Sequence, residues 1–434
     1  MLRFLYWLVA PVGAIGVLVG LAALRPPLAH TPVIETIGAA LPEPPESESL
    51  QQLYQMRDRL HDQMKESSGT LVAAASNTFS FPNPLQLLQA LEIRILIEET
   101  AQENWNKAMR SAVEADLLDR KANPSLGAAK ASYTAWKQAV QFLQEVPDKS
   151  LLGEQAAQKL QEYRPRLAAA AYKYDTARSG YLKPIAEKTG LPLSQVKLTV
   201  CHSSGECRRL NGNQKLASPA SLIKMPVAIA FMDKAIAKNI NLNTKIVVSP
   251  DNYTEDASDV WIGSEYSLRH ILIRMINQSS NIATNQLIDY VGKDYINQVM
   301  RQRGYKVTLI DMKLVGEAIQ PANLGSIPNE TTTDELTEMM RQIYTHQHPG
   351  DEVLMEALSS QYDTVLGYEG LKPTKAIWLG EKTGQNSDVL GTTLAFRVNE
   401  ETYVMSVALD FSGNEFAVRQ VIRDVANHIA NQGL

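Results

Sequence analysis

Two serines, two lysines and an asparagine are spaced so that together they could form and break an acyl ester. Ser221-Leu222-Ile223-Lys224 sets an amine three residues after a hydroxyl, and on a helix that spacing puts both on one face. A buried, partly desolvated amine gives up its proton more readily and can then act as base for the hydroxyl. A helix beginning at Ser221 also aims unpaired backbone N–H groups outward. Met225 to Met232 is apolar without a break, so this helix is expected to be buried on all sides, with Pro226 tolerated in its first turns. Further along, Ser279-Ser280-Asn281 follows the apolar positions Ile271, Leu272, Met275 and Ile276, and Lys382-Thr383-Gly384 follows the strand-like Ala376-Ile377-Trp378-Leu379. The set offers one nucleophile, two amines to manage protons and negative charge, and donors for a tetrahedral intermediate.

Taken singly these motifs are weak, and about one chance Ser-x-x-Lys is expected in a chain this long. The sequence holds its own decoys. Ser194-Gln195-Val196-Lys197 has the same spacing but follows Leu191-Pro192 and leads into a strand, so its Ser and Lys do not share a helix face. Lys188-Thr189-Gly190 ends a helical pattern, where Gly190 reads as a C-cap.

Ser-x-x-Lys, Ser-x-Asn and Lys-Thr-Gly, in that order and widely spaced, resemble the class A β-lactamase and penicillin-binding family. The resemblance covers roughly residues 195–434 and extends to Ser218-Pro219-Ala220 and to Pro328-Asn329-Glu330-Thr331-Thr332-Thr333, with Thr332 and Glu335 placed for a capping box. It implies Ser221 as acylated nucleophile, Lys224 as its base, and Ser279 as proton shuttle to the leaving nitrogen. It further implies that Asn281 holds a substrate amide, that Lys382 and Thr383 of Lys382-Thr383-Gly384 bind a carboxylate, and that the N–H groups of Ser221 and Gln385 form an oxyanion hole. No metal or cofactor is implied, and His346 and His348 read as surface residues.

One departure stands out. Family β-lactamases carry Glu-x-x-x-Asn in a loop whose carboxylate activates water, and the best match here is Gln320-Pro321-Ala322-Asn323-Leu324. An amide cannot take a proton from water, and loss of a general base typically slows a step by ~10²–10⁴-fold. Glu317 lies three residues earlier and is read as a solvated carboxylate unless the loop is reshaped. Three functions are therefore expected in contention. They are a β-lactamase with slow or rescued deacylation, a penicillin-binding enzyme acting on D-alanyl wall peptides, and a non-catalytic wall-facing binding or scaffold protein.

The elements that position these residues form an expected α/β sandwich of antiparallel sheet and helices over residues 191–434, preceded by an all-α region. Strands are expected at Lys197–His202, Gly391–Val398 and Thr402–Phe411, and a final helix near 414–431 with Val418, Val421, Ile422, Val425 and Ile429 on one face. Residues 48–190 carry helical stripes, such as Leu50, Leu53, Met56, Leu60 and Met64, interrupted at Pro82-Asn83-Pro84 and near Pro147. Helical hairpins are expected, with 125–170 resembling a tetratricopeptide-type pair. The sequence names no partner for them.

The remainder bounds location. Residues 4–24 hold no charge between Arg3 and Arg25, and as a helix they rise roughly 30 Å, about the thickness of a bilayer core. Residues 1–25 therefore read as a membrane anchor, or as a signal segment with a small-x-small site at Gly20-Leu21-Ala22. Residues 26–47 read as a Pro-rich linker. Either reading puts the chain on the extracytoplasmic, periplasmic side, where Cys201 and Cys207, flanking a Ser-Ser-Gly turn, are candidates for a disulfide. With 434 residues, 44% hydrophobic, 21% charged and a net charge of −5, the chain is globular, spans more than one domain, and offers no general attraction to nucleic acid.

Overall fold

The computed structural model describes residues 47–67, 84–120 and 125–434. The expected anchor at 4–24 and all but the last residue of the linker lie outside these. Among the described residues no helix is long and apolar enough to cross a membrane. The chain divides into two compact units, Met1–Ser111 with Gln138–Tyr163 and Ala112–Lys137 with Arg164–Leu434.

The described residues begin with the helices α1 (Leu50–Ser67), α2 (Pro84–Asp119), α3 (Leu126–Gln144) and α4 (Gly153–Arg178). The unit division passes through α2, α3 and α4. In the first unit Leu53, Leu91 and Ile95 make a small core, so the stripe on α1 is used as its period predicts. Glu98 is buried there, paired with Arg94 at 2.6 Å and accepting from the Leu151 N–H at 2.9 Å. α2 begins at Pro84, where a missing N–H costs nothing. Tyr133 of α3 stacks on Tyr174 of α4 with ring centroids 5.6 Å apart.

In the second unit a 3₁₀ turn, Ser179–Tyr181, leads from α4 to α5 (Leu182–Glu187). Gly190 has φ +73, the left-handed conformation of a helix C-terminus. Lys197 lies in a strand and pairs with Asp410, so both decoys are structural.

The main sheet is antiparallel in the order β2-β1-β7-β6-β5, built from β1 (Val196–His202), β2 (Cys207–Leu210), β5 (Ile377–Gln385), β6 (Val389–Val398) and β7 (Glu401–Asp410). A small second sheet pairs β3 (Lys245–Val247) with β4 (Glu265–Ser267). Asn399 and Glu400 have φ 51 and 66, as a two-residue loop between β6 and β7 requires. Cys201 faces Cys207 in the β1–β2 register, and the two form a disulfide.

Strand periodicity sorts side chains to the two faces. Tyr403, Met405, Val407 and Leu409 of β7 pack with α5, α12 (Gly367–Leu371) and the apolar face of α13 (Glu415–Gln432). Val404 and Ala408 point the other way, into a larger core with α6 (Lys224–Ala237), α7 (Leu268–Asn277), α8 (Asn281–Val291) and α9 (Lys293–Gln302). Each aliphatic side chain fully buried in these cores is worth about 1.5–3 kcal/mol relative to exposure. α10 (Thr333–Tyr344) and α11 (Asp351–Ser359) complete that layer. Between α10 and the sheet lies a buried hydroxyl ladder, with Ser406 Oγ 2.8 Å from both Thr393 and Thr337.

Thr332 caps α10, accepting from the Glu335 N–H at 3.1 Å. The other half of the expected capping box differs. The Glu335 carboxylate turns to the N–H groups of Lys306, Val307 and Thr308, three donors in a neighbouring loop instead of one at its own helix start.

Candidate active site

A 3₁₀ turn, Ala220–Ile223, delivers Ser221 to the surface and runs straight into α6. Ala220 has φ 44, a conformation that disfavours a side chain, so the turn before Ser221 is held in strain by its surroundings. From Lys224 to Met232 every residue is buried, as the unbroken apolar run predicts. That burial carries the Lys224 amine into the interior with no exposure.

The serine turn and the Ser279–Asn281 segment converge on this amine. Its Nζ lies 3.0 Å from Ser221 Oγ, 3.0 Å from Ser279 Oγ and 2.9 Å from Asn281 Oδ1, and it also contacts the Ser279 carbonyl. Ser279 has φ 56, a second strained non-glycine residue at the same place. Lys382, equally buried, reaches Ser279 Oγ from β5 at 3.1 Å and donates to the Thr383 carbonyl at 2.8 Å. The Ser279 hydroxyl thus bridges two lysines. Burial drives Lys224 well below the ordinary lysine value, the Lys382 charge lowers it further, and Asp256 opposes. Burial brings Lys382 down to about 8 against the opposing charges of Asp363 and Glu381.

Gly384 explains its own identity. A Cβ there would lie 2.7 Å from Leu222 Cγ and 2.9 Å from the Leu222 nitrogen, so only glycine lets β5 pass this close to the serine turn. Gln385 follows, exposed at the strand end and paired with Leu390. The Thr383 hydroxyl donates to Asp363 Oδ2 at 2.8 Å.

Further residues support these, most of them with no sequence signal. Ser280 caps α8, accepting from the Ala283 N–H at 3.0 Å, while the Asp256 carboxylate accepts from the Ser280 hydroxyl and from the Ile282 N–H. Asp256 lies 24 residues earlier in the chain than the serine it holds. Glu381, fully buried, accepts from the Gly367 and Tyr368 N–H groups and the Thr392 hydroxyl, and burial raises its pKa. A carboxylate abutting Lys382 in a strand is the one signal that could have flagged it.

The loop holding Gln320 is tied down by two charged side chains. Buried Lys313 spans Asp289, Asn252 and the Ala322 carbonyl, each at 2.8 Å. Glu255 accepts from the Ala318 and Ile319 N–H groups at 2.8 and 3.1 Å, bonds that hold its carboxyl below the usual range. Gln320, Glu317 and Asn323 are exposed. None of their side chains is hydrogen-bonded to Ser221, Lys224, Ser279 or Lys382. The structure therefore gathers Ser221, Lys224, Ser279, Asn281 and Lys382, and leaves the candidate deacylation residues outside that network.

A nucleophile turn packed against the edge strand of an antiparallel sheet, with a desolvated lysine behind the serine and a second serine bridging two lysines, defines a serine hydrolase of β-lactamase fold. The sequence matches the β-lactamase enzyme family over residues 181–432, and the chain belongs to that family. Among solved structures, TLA-3 extended-spectrum β-lactamase is 17% identical over 58% of this chain and 100% of its own, with a TM-score of 0.50. PBP-A is 23% identical over 57% of this chain and 95% of its own, with a TM-score of 0.49. A β-lactamase from Sphaerobacter thermophilus is 22% identical over 57% and 96%, also with a TM-score of 0.49. At these identities the likeness concerns the fold alone. No curated protein matches the sequence.

Proposed function

We propose that this protein opens the amide bond of β-lactams by forming an acyl-enzyme on Ser221, and that it releases the acyl group slowly. The observation that carries the reading is the Ser221–Lys224–Ser279–Lys382 chain of contacts at 3.0–3.1 Å around two fully buried amines. Neutral Lys224 takes the Ser221 proton as the oxygen attacks the carbonyl carbon. The C–N bond then breaks while Ser279 passes its proton to the leaving nitrogen, and Ser279 is replenished from Lys224. The proton lost by Ser221 thus ends on the nitrogen. Backbone N–H groups of Ser221 and Gln385 are assigned to the oxyanion, and Asn281 to the substrate's side-chain amide.

Slow release is supported by the position of the loop. Water activation needs a base within hydrogen-bond reach, and Gln320 and Glu317 make no bond to the nucleophile network. The same observation favours a second reading, a penicillin-binding peptidase acting on D-alanyl wall peptides. The scaffold reading is weakened by the buried lysines, because a desolvated amine destabilises the fold and serves no packing purpose. The Cys201–Cys207 disulfide supports the proposed extracytoplasmic location.

Intact-mass measurement of the full-length chain incubated with a penicillin tests the proposal. An adduct of the drug's mass that persists for many turnovers of a free β-lactamase, and is absent in Ser221→Ala, is expected. No adduct at any concentration would refute acylation, and rapid disappearance with excess drug consumed would refute slow release.

A further inference from the structure

A cavity lies at the opposite edge of the main sheet from Ser221. The sheet runs β2-β1-β7-β6-β5; the nucleophile turn packs on β5, and this cavity sits where the turn between β1 and β2 meets α3 and α4. Its volume is about 350 Å³, at the small end of ligand sites. The lining is apolar at Tyr133, Ala171 and Tyr174 and polar at Asp175, Arg178, Ser204 and Glu206. All of these residues belong to the second unit.

The charges here offset one another. Asp175 accepts from Arg178 at 2.7 Å and from Arg209 at 2.9 Å. Glu206 Oε1 accepts from Arg178 and, at 2.8 Å, from Arg208. Each carboxylate thus meets two guanidiniums, so neither a cation nor an anion gains a strong net attraction.

Three polar atoms keep unused capacity. Glu206 takes both arginine bonds on Oε1, which leaves Oε2 as an acceptor. His202 Nε2 donates to Glu401 at 2.9 Å, and its Nδ1 accepts from the Ser204 N–H at 3.2 Å and from the Ser204 hydroxyl at 2.7 Å. That hydroxyl has given its only hydrogen, and its oxygen can still accept. Arg178 Nε is buried and has no partner among the described residues. The walls are also fixed in advance. The Cys201–Cys207 disulfide closes the turn that carries Ser204 and Glu206, Tyr133 stacks on Tyr174, and the Arg178 guanidinium lies 4.2 Å over the Tyr174 ring. Little order is left to lose when a ligand enters.

We propose that this cavity binds a neutral saccharide of one or two rings. Sugar hydroxyls donate to Glu206 Oε2 and Ser204 Oγ and accept from the Arg178 Nε–H, while the C–H face of a ring packs on Tyr133 and Ala171. A tyrosine ring suits such a ligand because it offers a rigid apolar surface with a polar edge. A purely apolar ligand would leave the buried N–H unpaired. A charged sugar would lose hydration without finding an unopposed counter-charge. The proposal does not depend on acylation at Ser221.

The test is calorimetric titration of the full-length protein with N,N′-diacetylchitobiose, a neutral disaccharide, and with digalacturonate, a disaccharide dianion. The neutral sugar is expected to bind at one site and the dianion roughly tenfold more weakly. Tyr133→Ala is expected to weaken the neutral sugar roughly tenfold, as loss of an aromatic anchor does, and Tyr133→Phe to leave it unchanged. Ala171→Trp, which fills the cavity, is expected to abolish binding, with thermal unfolding confirming that each variant is folded. No binding at millimolar neutral sugar, equal or tighter binding of the dianion, or binding unchanged in both Tyr133→Ala and Ala171→Trp would overturn the proposal. The penicillin adduct at Ser221 is expected to form equally in all variants, so a missing adduct removes the acyl-enzyme reading and leaves the sugar site standing.

Discussion

Lys382→Met is expected to make the protein more stable at neutral pH while abolishing acylation. The Lys382 amine is fully buried, and burial takes it from the ordinary lysine value of 10.5 to about 8. At 1.36 kcal/mol per pH unit this corresponds to roughly 3 kcal/mol of folding free energy lost at pH 7. Methionine fills a similar volume without a charge. Its substitution forfeits the bonds to Ser279 Oγ and the Thr383 carbonyl, each worth about 1 kcal/mol, so a net gain of about 1–2 kcal/mol remains. The sign of the pH dependence follows from proton counting. Between about 8 and 10.5 the unfolded lysine holds its proton and the folded one has released it, so wild-type stability rises with pH across that window. The advantage of the methionine variant should therefore shrink above pH 8 and reverse by about pH 10. Denaturant titrations of both full-length proteins from pH 7 to 10, read by tryptophan fluorescence, measure the difference. A variant less stable at pH 7, or a difference that ignores pH, would refute the account of Lys382 as a strained cation held for function.

Two further outcomes are expected. The second-order rate of penicillin adduct formation should rise as Lys224, which burial holds well below its ordinary value, loses its proton. It should then fall above about pH 8 as Lys382 loses its own; a rate still climbing through pH 9 would contradict a need for the Lys382 cation. Lys313→Met leaves Asp289 and buried Asn252 without their partner. Because Asp289 is 39% exposed, the loss should be about 1–3 kcal/mol rather than that of a fully buried pair. Amide hydrogen exchange should quicken over residues 313–324, and unchanged exchange there would show that Lys313 does not pin the loop.

The sequence by itself determined the core of this protein because its signals there are local. A spacing of three joins Ser221 to Lys224, an unbroken apolar run buries Lys224, and the order of the three motifs marked Lys382-Thr383-Gly384 through its resemblance to a family. Cys201 and Cys207, flanking a short turn, stood only as disulfide candidates until the strand register set them face to face. Only the tertiary structure decided what lies around these residues, because its signals span segments distant in the chain. Asp256 reaches Ser280 from another loop, Lys313 gathers three segments under the Gln320 loop, and Glu335 leaves its own helix start for three N–H groups elsewhere. The same holds for Asp363, whose hydrogen bond fixes which way the Thr383 hydroxyl points. No spacing rule relates an aspartate to a threonine 20 residues later across a loop and a helix.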